Sequence, residues 1–293
     1  PPVVIDRYYF KEDISGYLGR RRQHLYVFDL GTGTAELLTP GEHDEYLPAW
    51  SPDGSRIAYV TKRGADADRH FNFDLYVIEP RAGAVERQVT RFEGADLSPD
   101  WLTYPAWSPD GTRIAYLQGG EDRWIYYSTY QLAVVDVATG ATRLPAPIDR
   151  PFSRLRWGPD GRSVYALVEE SRVTRLSRID LASGRVTPLT RGARFDVDFA
   201  LRGKRLAVLG GDDHRPPGLF AVEPRGLRPL GEHNAWLDGR RLAPVEDFSF
   251  RSADGTPVDG LLVKPLDYVP GRRYPAILRL HGGPVYQFSH EFM

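Results

Sequence analysis

One phrase returns along this chain at regular intervals, and it limits the architecture more than any other feature. It reads Ala49-Trp50-Ser51-Pro52-Asp53-Gly54, then Ala106-Trp107-Ser108-Pro109-Asp110-Gly111, then, eroded, Arg156-Trp157-Gly158-Pro159-Asp160-Gly161. The three tryptophans lie 57 and 50 residues apart, and a weaker match at Phe199-Ala200-Leu201-Arg202-Gly203 begins 42 residues after Trp157. Proline presets φ in the turn and glycine closes it in the left-handed region, so each phrase reads as a strand entering a tight turn. In the first full unit, residues 47–50, 56–61, 74–79 and 85–90 read as four strands rich in β-formers. The turn between third and fourth strands recurs too, as Gly31-Thr32-Gly33, Arg81-Ala82-Gly83, Ala138-Thr139-Gly140, Ala182-Ser183-Gly184 and Pro224-Arg225-Gly226. Four antiparallel strands repeated every ~40–50 residues are the blades of a β-propeller. Pro48 and Pro105 suit an innermost strand, whose free edge loses nothing when an N–H is missing. Trp50, Trp107 and Trp157 are expected to pack between neighbouring blades.

Composition narrows the function classes. A net charge of −1 supplies no field for nucleic acid or an anionic membrane, so neither is expected as a partner. No apolar run approaches the roughly 20 residues that span a bilayer as a helix. Cysteine is absent, which rules out disulfides and thiolate metal sites and fits a reducing, cytoplasmic setting. The chain opens Pro1-Pro2 and its single methionine is Met293, so it reads as an internal portion of a longer protein.

Beyond residue 242 the pattern changes. Residues 245–252 alternate as a strand, Ala253-Asp254-Gly255-Thr256 turns, and residues 258–264 return. Pro275-Ala276-Ile277-Leu278-Arg279-Leu280 reads as a mostly buried strand running into His281-Gly282-Gly283-Pro284. A strand ending in two glycines is one way an α/β-hydrolase presents backbone N–H groups to a developing oxyanion, since a side chain would block the approach. A plain tight turn explains the four residues equally well when they are taken alone. The domain division expected is 1–242 for the propeller, with four fuller blades and a partial one, and 243–293 for the first strands of a hydrolase domain.

On these residues the chain resembles the prolyl oligopeptidase family of serine peptidases, in particular its acylaminoacyl-peptidase branch. The likeness rests on Tyr9-Phe10-Lys11 through Gly16-Tyr17 to residues 20–27, on the repeated Trp-Ser-Pro-Asp-Gly, on the 248–265 hairpin, and on Tyr274-Pro275 through Pro284. The resemblance implies a seven-bladed propeller capping an α/β-hydrolase domain that cleaves short or N-acylated peptides, with two or three blades preceding those visible here. It implies that Gly283 donates one oxyanion N–H, that Gly282 shapes the loop and that His281 positions it. It implies no cofactor, short peptides and the remaining hydrolase domain as partners, and a homo-oligomer. The chain departs from the family form at Val285 and Ser289, where histidine and glycine are common. No Gly-x-Ser-x-Gly occurs in residues 1–293, so these residues alone are expected to hydrolyse nothing.

Other groups were weighed. Arg20, Arg21 and Arg22 form a possible carboxylate-steering patch against the alternative of a solvated loop. Asp66, Asp68 and His70, and likewise Asp212, Asp213 and His214, read as polar loops without zinc-site spacing, so no metal is expected. The long loops 63–73 and 118–130 are expected on the face that meets the hydrolase domain. The rival functions are a non-catalytic TolB-like binding propeller and a pseudo-peptidase.

Overall fold

The computed structural model describes residues 4–64, 66–101 and 103–293; Pro1, Pro2, Val3, Ala65 and Leu102 lie outside the described residues. Contacts divide the chain into two units, residues 1–147 and 148–293.

The first unit begins with two short ladders, β1 (Lys11–Glu12) with β2 (Gly16–Tyr17) and β3 (Tyr26–Asp29) with β4 (Thr34–Leu37). A four-stranded antiparallel sheet follows, in the order β5 (Glu45–Trp50), β6 (Ile57–Thr61), β7 (Asp74–Ile78), β8 (Arg87–Gln88). The next sheet splits its first strand into β9 (Gly94–Asp96) and β10 (Ala106–Trp107), both paired to β11 (Arg113–Glu121), and continues through β12 (Gln131–Asp136) to β13 (Thr142–Arg143). Pro105 stands in the break, just ahead of β10, not inside a continuous strand.

The second unit holds two more four-stranded sets. One is β14 (Phe152–Trp157), β15 (Ser163–Glu170), β16 (Val173–Asp180) and β17 (Val186–Pro188); the other is β18 (Phe195–Arg202), β19 (Arg205–Asp212), β20 (Arg215–Glu223) and β21 (Gly226–Pro229). A single parallel pairing, Thr174 with Phe195, merges them into one eight-stranded sheet. The hairpin β22 (Val245–Arg251) and β23 (Pro257–Val263) stands apart as a two-stranded ladder. Four fuller blades after a partial one is the arrangement the repeats call for.

The core lies between sheets. In the first unit Leu25 and Leu38, flanking β3 and β4, pack on Ile57, Tyr59, Tyr76 and Ile78. In the second, Leu167 and Leu176 meet Phe199 and Val208 of the next blade. Middle strands are covered on both faces and therefore read as continuous apolar runs, such as Leu132-Ala133-Val134-Val135.

The repeated phrase builds one hydrogen-bonded turn. Ser51 Oγ accepts the Arg56 N–H at 3.0 Å and donates to Asp53 at 2.6 Å, while Gly54 N–H reaches Ser51 O at 2.9 Å. Ser108, Asp110, Gly111 and Arg113 repeat this arrangement. The eroded copy replaces serine with Gly158, and Ser163, across the turn, supplies the hydroxyl to Asp160 at 3.0 Å. The hairpin turn Ser252-Ala253-Asp254-Gly255 is a fifth relative of the motif, with Gly255 N–H on Ser252 O at 2.9 Å. Trp107 packs as expected: its Nε1 donates to Ala49 O at 2.9 Å and the Arg56 guanidinium lies 5.0 Å over its ring. Trp157 is buried as well, but Trp50 is 53% exposed. Trp107 rests on the full blade before it, whereas the set before Trp50 contributes only the two strands β3 and β4.

Candidate functional site

The glycine loop differs from its expectation in one respect. Residues 275–280 form no strand, and Ile277, Leu278 and Leu280 are exposed, Ile277 to 97%. An extended segment becomes a strand only when a neighbour takes its N–H and C=O groups, and no described strand lies beside this one. The apolar pattern was legible; the partner it needs was not.

Within the loop, Gly283 sits at φ +134, and a Cβ there would come within 2.9 Å of Val285 N. Glycine is therefore required by the backbone itself. Gly282 carries no such constraint, since nothing lies within 4 Å of where its Cβ would be. The His281 ring meets Tyr286 and Phe288 edge-on at 5.7 and 5.9 Å, and its Nδ1 lies 2.7 Å from Gly282 O. Arg279 stacks over Phe288 at 4.8 Å. The chain then turns inward: Ser289 and His290 are buried, although both follow an exposed loop.

The arginine triplet does not act as one patch. Arg20 is exposed and paired with Asp6 at 2.8 Å, and Arg22 is held by Asp44 at 3.1 Å. Arg21 and Arg22 line a hollow of about 190 Å³ together with Tyr9, Glu12, Tyr17 and Tyr46. Asp68, weighed as a ligand, is instead gripped by Arg7 through two hydrogen bonds at 2.7 and 2.8 Å. The Arg7 hydrogen bond holds the Asp68 carboxyl below its ordinary range despite partial burial. Asp212 caps the β19–β20 turn by accepting the His214 and Arg215 N–H groups, and Asp213 pairs with His290. Among the described residues no group of three ligating side chains could hold a metal. The loops 63–73 and 118–130 touch each other, Phe71 against Tyr126 at 5.3 Å.

A buried carboxylate series escaped sequence reading. Thr39 and Glu45, Thr90 and Asp96, and Thr190 and Asp196 are each six residues apart, and all six side chains are buried. In each pair the threonine hydroxyl accepts a backbone N–H from a neighbouring segment, that of Leu25, Leu75 or Leu176. The remaining blade replaces both members, with Ala146 and Phe152. Burial raises the carboxyls of Glu45 and Asp96. Beside Asp96, burial and that neighbour's charge push Asp74 up to about 7. The signal was a threonine–acid spacing recurring in three of the four fuller blades, which a search for exposed ligands passes over.

The match to known proteins agrees with this geometry. Residues 19–123 match the family model described as the dipeptidyl peptidase IV N-terminal region. Dipeptidyl-peptidase 5 of Porphyromonas gingivalis is 30% identical over 244 residues, 80% of this chain and 34% of that protein. The Arthroderma otae protein of the same name is 26% identical over 253 residues. The chain spans about a third of the length of these relatives, 34% in both. Among solved structures, the uncomplexed acylaminoacyl peptidase of Pyrococcus horikoshii superposes with a TM-score of 0.76 at 18% identity, covering 99% of this chain and 43% of that one. TolB from Acinetobacter baumannii gives 0.52 at 16% identity over 82% of this chain and 57% of its own. The fold is thus a β-propeller of the type found in these peptidases. These matches bear out the resemblance to the prolyl oligopeptidase family of serine peptidases.

Proposed function

We propose that this chain is the propeller and oxyanion-loop portion of a serine peptidase that hydrolyses short peptides by acyl transfer. The observation that carries the reading is the 30% identity to dipeptidyl-peptidase 5 over 80% of the chain. Residues 243–293 then begin the hydrolase domain, and Gly283 N–H stabilises the tetrahedral oxyanion, a donor worth about 2.7–4 kcal/mol where one has been removed elsewhere. Gly283 is the glycine whose backbone no other residue would adopt without strain, which is what close approach to a substrate oxygen requires. His281, wedged against Tyr286 and Phe288, keeps the loop's direction.

The nucleophile and its base lie outside residues 1–293, which contain no Gly-x-Ser-x-Gly. A serine-directed fluorophosphonate is therefore expected to leave the 293-residue chain unlabelled and to label the complete gene product. No labelling of the complete product would favour a pseudo-peptidase or a binding propeller, for which the TolB-like fold match stands.

Substrate class follows from paired chromogenic substrates. Release from dipeptidyl p-nitroanilides with a free N-terminus supports the dipeptidyl activity named for the sequence relatives. Release from N-acetyl-aminoacyl p-nitroanilides supports instead the activity named for the structural neighbour.

A further inference from the structure

The chain that leaves the glycine loop ends in a polar knot around the buried His290. His290 Nδ1 lies 2.6 Å from Asp213 Oδ2, in the β19–β20 turn, and its Nε2 lies 3.1 Å from Asp247 Oδ1, on β22. Asp247 Oδ1 also accepts Arg172 Nε at 2.7 Å, and Arg172 Nη1 lies 3.0 Å from Asp259 on β23. The Arg172 carbonyl accepts the His290 N–H at 2.8 Å. Next to it, Val173 O accepts Gln287 Nε2 at 3.0 Å, and Thr174 Oγ1 lies 3.4 Å from Ser289 Oγ. Three elements of the second unit and the post-loop chain therefore meet at two side chains, Arg172 and His290.

Two features set this knot apart from ordinary surface pairing. Ser171 and Arg172 form the two-residue turn between β15 and β16 with φ of +42 and +67. Such a turn takes both central residues left-handed and strongly favours Asn-Gly. An arginine held there is a backbone outlier, and it is held by its side chain and carbonyl together. The second feature is the acceptor count. Both imidazole nitrogens of His290 face carboxylates, which only accept, and a neutral ring has a single N–H. The doubly protonated ring satisfies both.

We propose that His290 is a positioning residue. It ties residues 281–290 to Asp213 and Asp247, and with Arg172 it forms a latch that holds the glycine loop in one geometry. The latch rests on the reading of Gly283 as an oxyanion donor for its purpose, though not for its existence. It also accounts for the departure at Ser289. A buried hydroxyl there joins the knot, where the family's common glycine would contribute no side chain. The charged groups facing the ring are Asp213, Asp247 and, through Asp247, Arg172 with Asp259. Glu291 adjoins it in sequence.

Amide hydrogen exchange on the 293-residue chain, followed by mass spectrometry, tests this. In His290→Gln, exchange of peptides covering 281–290 is expected to rise about tenfold or more. Exchange in β15 and β16 should stay as in the parent. Arg172→Gly suits the turn and so does not endanger folding; it should release the same peptides, and the double variant should add little. Exchange at 281–290 within twofold of the parent, or a parallel rise through β15 and β16, overturns the latch. Failure of the peptidase reading looks different: the loop still responds to His290→Gln while the complete gene product stays unlabelled by fluorophosphonate. If both readings hold, His290→Gln in that product lowers kcat with KM little changed.

Discussion

At the scale of single residues, short-range hydrogen bonds and burial decide most of what is seen. Asp110 is held at about 2, first by the Ser108 hydroxyl and then by the Thr112 N–H and hydroxyl. Ser108→Ala strips the turn of that hydroxyl and of the acceptor for Arg113 N–H, and is expected to lower stability by about 1 kcal/mol in urea titration. The eroded turn offers a stricter check. A Cβ on Gly158 would fall 2.4 Å from Ser163 Oγ, because that hydroxyl fills the place Ser51 and Ser108 occupy elsewhere. Gly158→Ser and Ser163→Ala should each destabilise, while the double variant, which restores the common phrase, should recover most of the loss. Asp74 behaves in the opposite sense to a surface carboxylate. Its folded value of about 7 lies above its ordinary 3.8, so the folded state binds the extra proton between those values. Stability from this group is full below pH 3.8 and is lost as pH rises through 7. Asp74→Asn is therefore expected to be more stable than the parent at pH 8, by about 1–2 kcal/mol after solvent screening, and to show little gain near pH 4. Equal melts at both pH values would refute it.

At the scale of elements, the strand order was legible because alternation and turn chemistry are local. The four strands of the 45–88 blade, the Gly33, Gly83, Gly140 and Gly184 turns at φ of +70 to +74, and the 245–263 hairpin all stand where the pattern put them. The turn glycines had an unseen helper: Asp29, Asp136 and Asp180 each accept N–H groups two or three residues ahead. What the pattern missed depends on neighbours distant in sequence. Trp50 and Trp107 sit in the same phrase, yet only Trp107 has a full blade to cover it. Trp107→Phe removes the bond to Ala49 O and is expected to cost about 1–2 kcal/mol, whereas Trp50→Phe should change stability by less than about 0.5 kcal/mol. Among the described residues the β22–β23 hairpin pairs only with itself, and it exposes Phe248 and Phe250. A two-stranded ladder is marginal alone, so its amides should exchange well before those of β15 and β16.

At the scale of the whole molecule, the repeat alone specified an all-β propeller-type chain, since four short strands cannot hide their faces except against the next set. Of the glycine loop only the local part was legible: Gly283 takes a φ of +134, which glycine permits. The complete gene product should therefore carry whatever turnover exists, and the 293-residue chain none, measured side by side on p-nitroanilide peptides. Three things were decided only by tertiary structure. The Thr–acid pairs became buried hydrogen-bond centres, Ser289 and His290 went inside, and residues 275–280 stayed outside without a strand partner. The physical reason is common to all three. Periodicity and turn residues act within a few positions of the chain. Burial of a carboxylate, an imidazole or an apolar run is set by which distant segment folds over it.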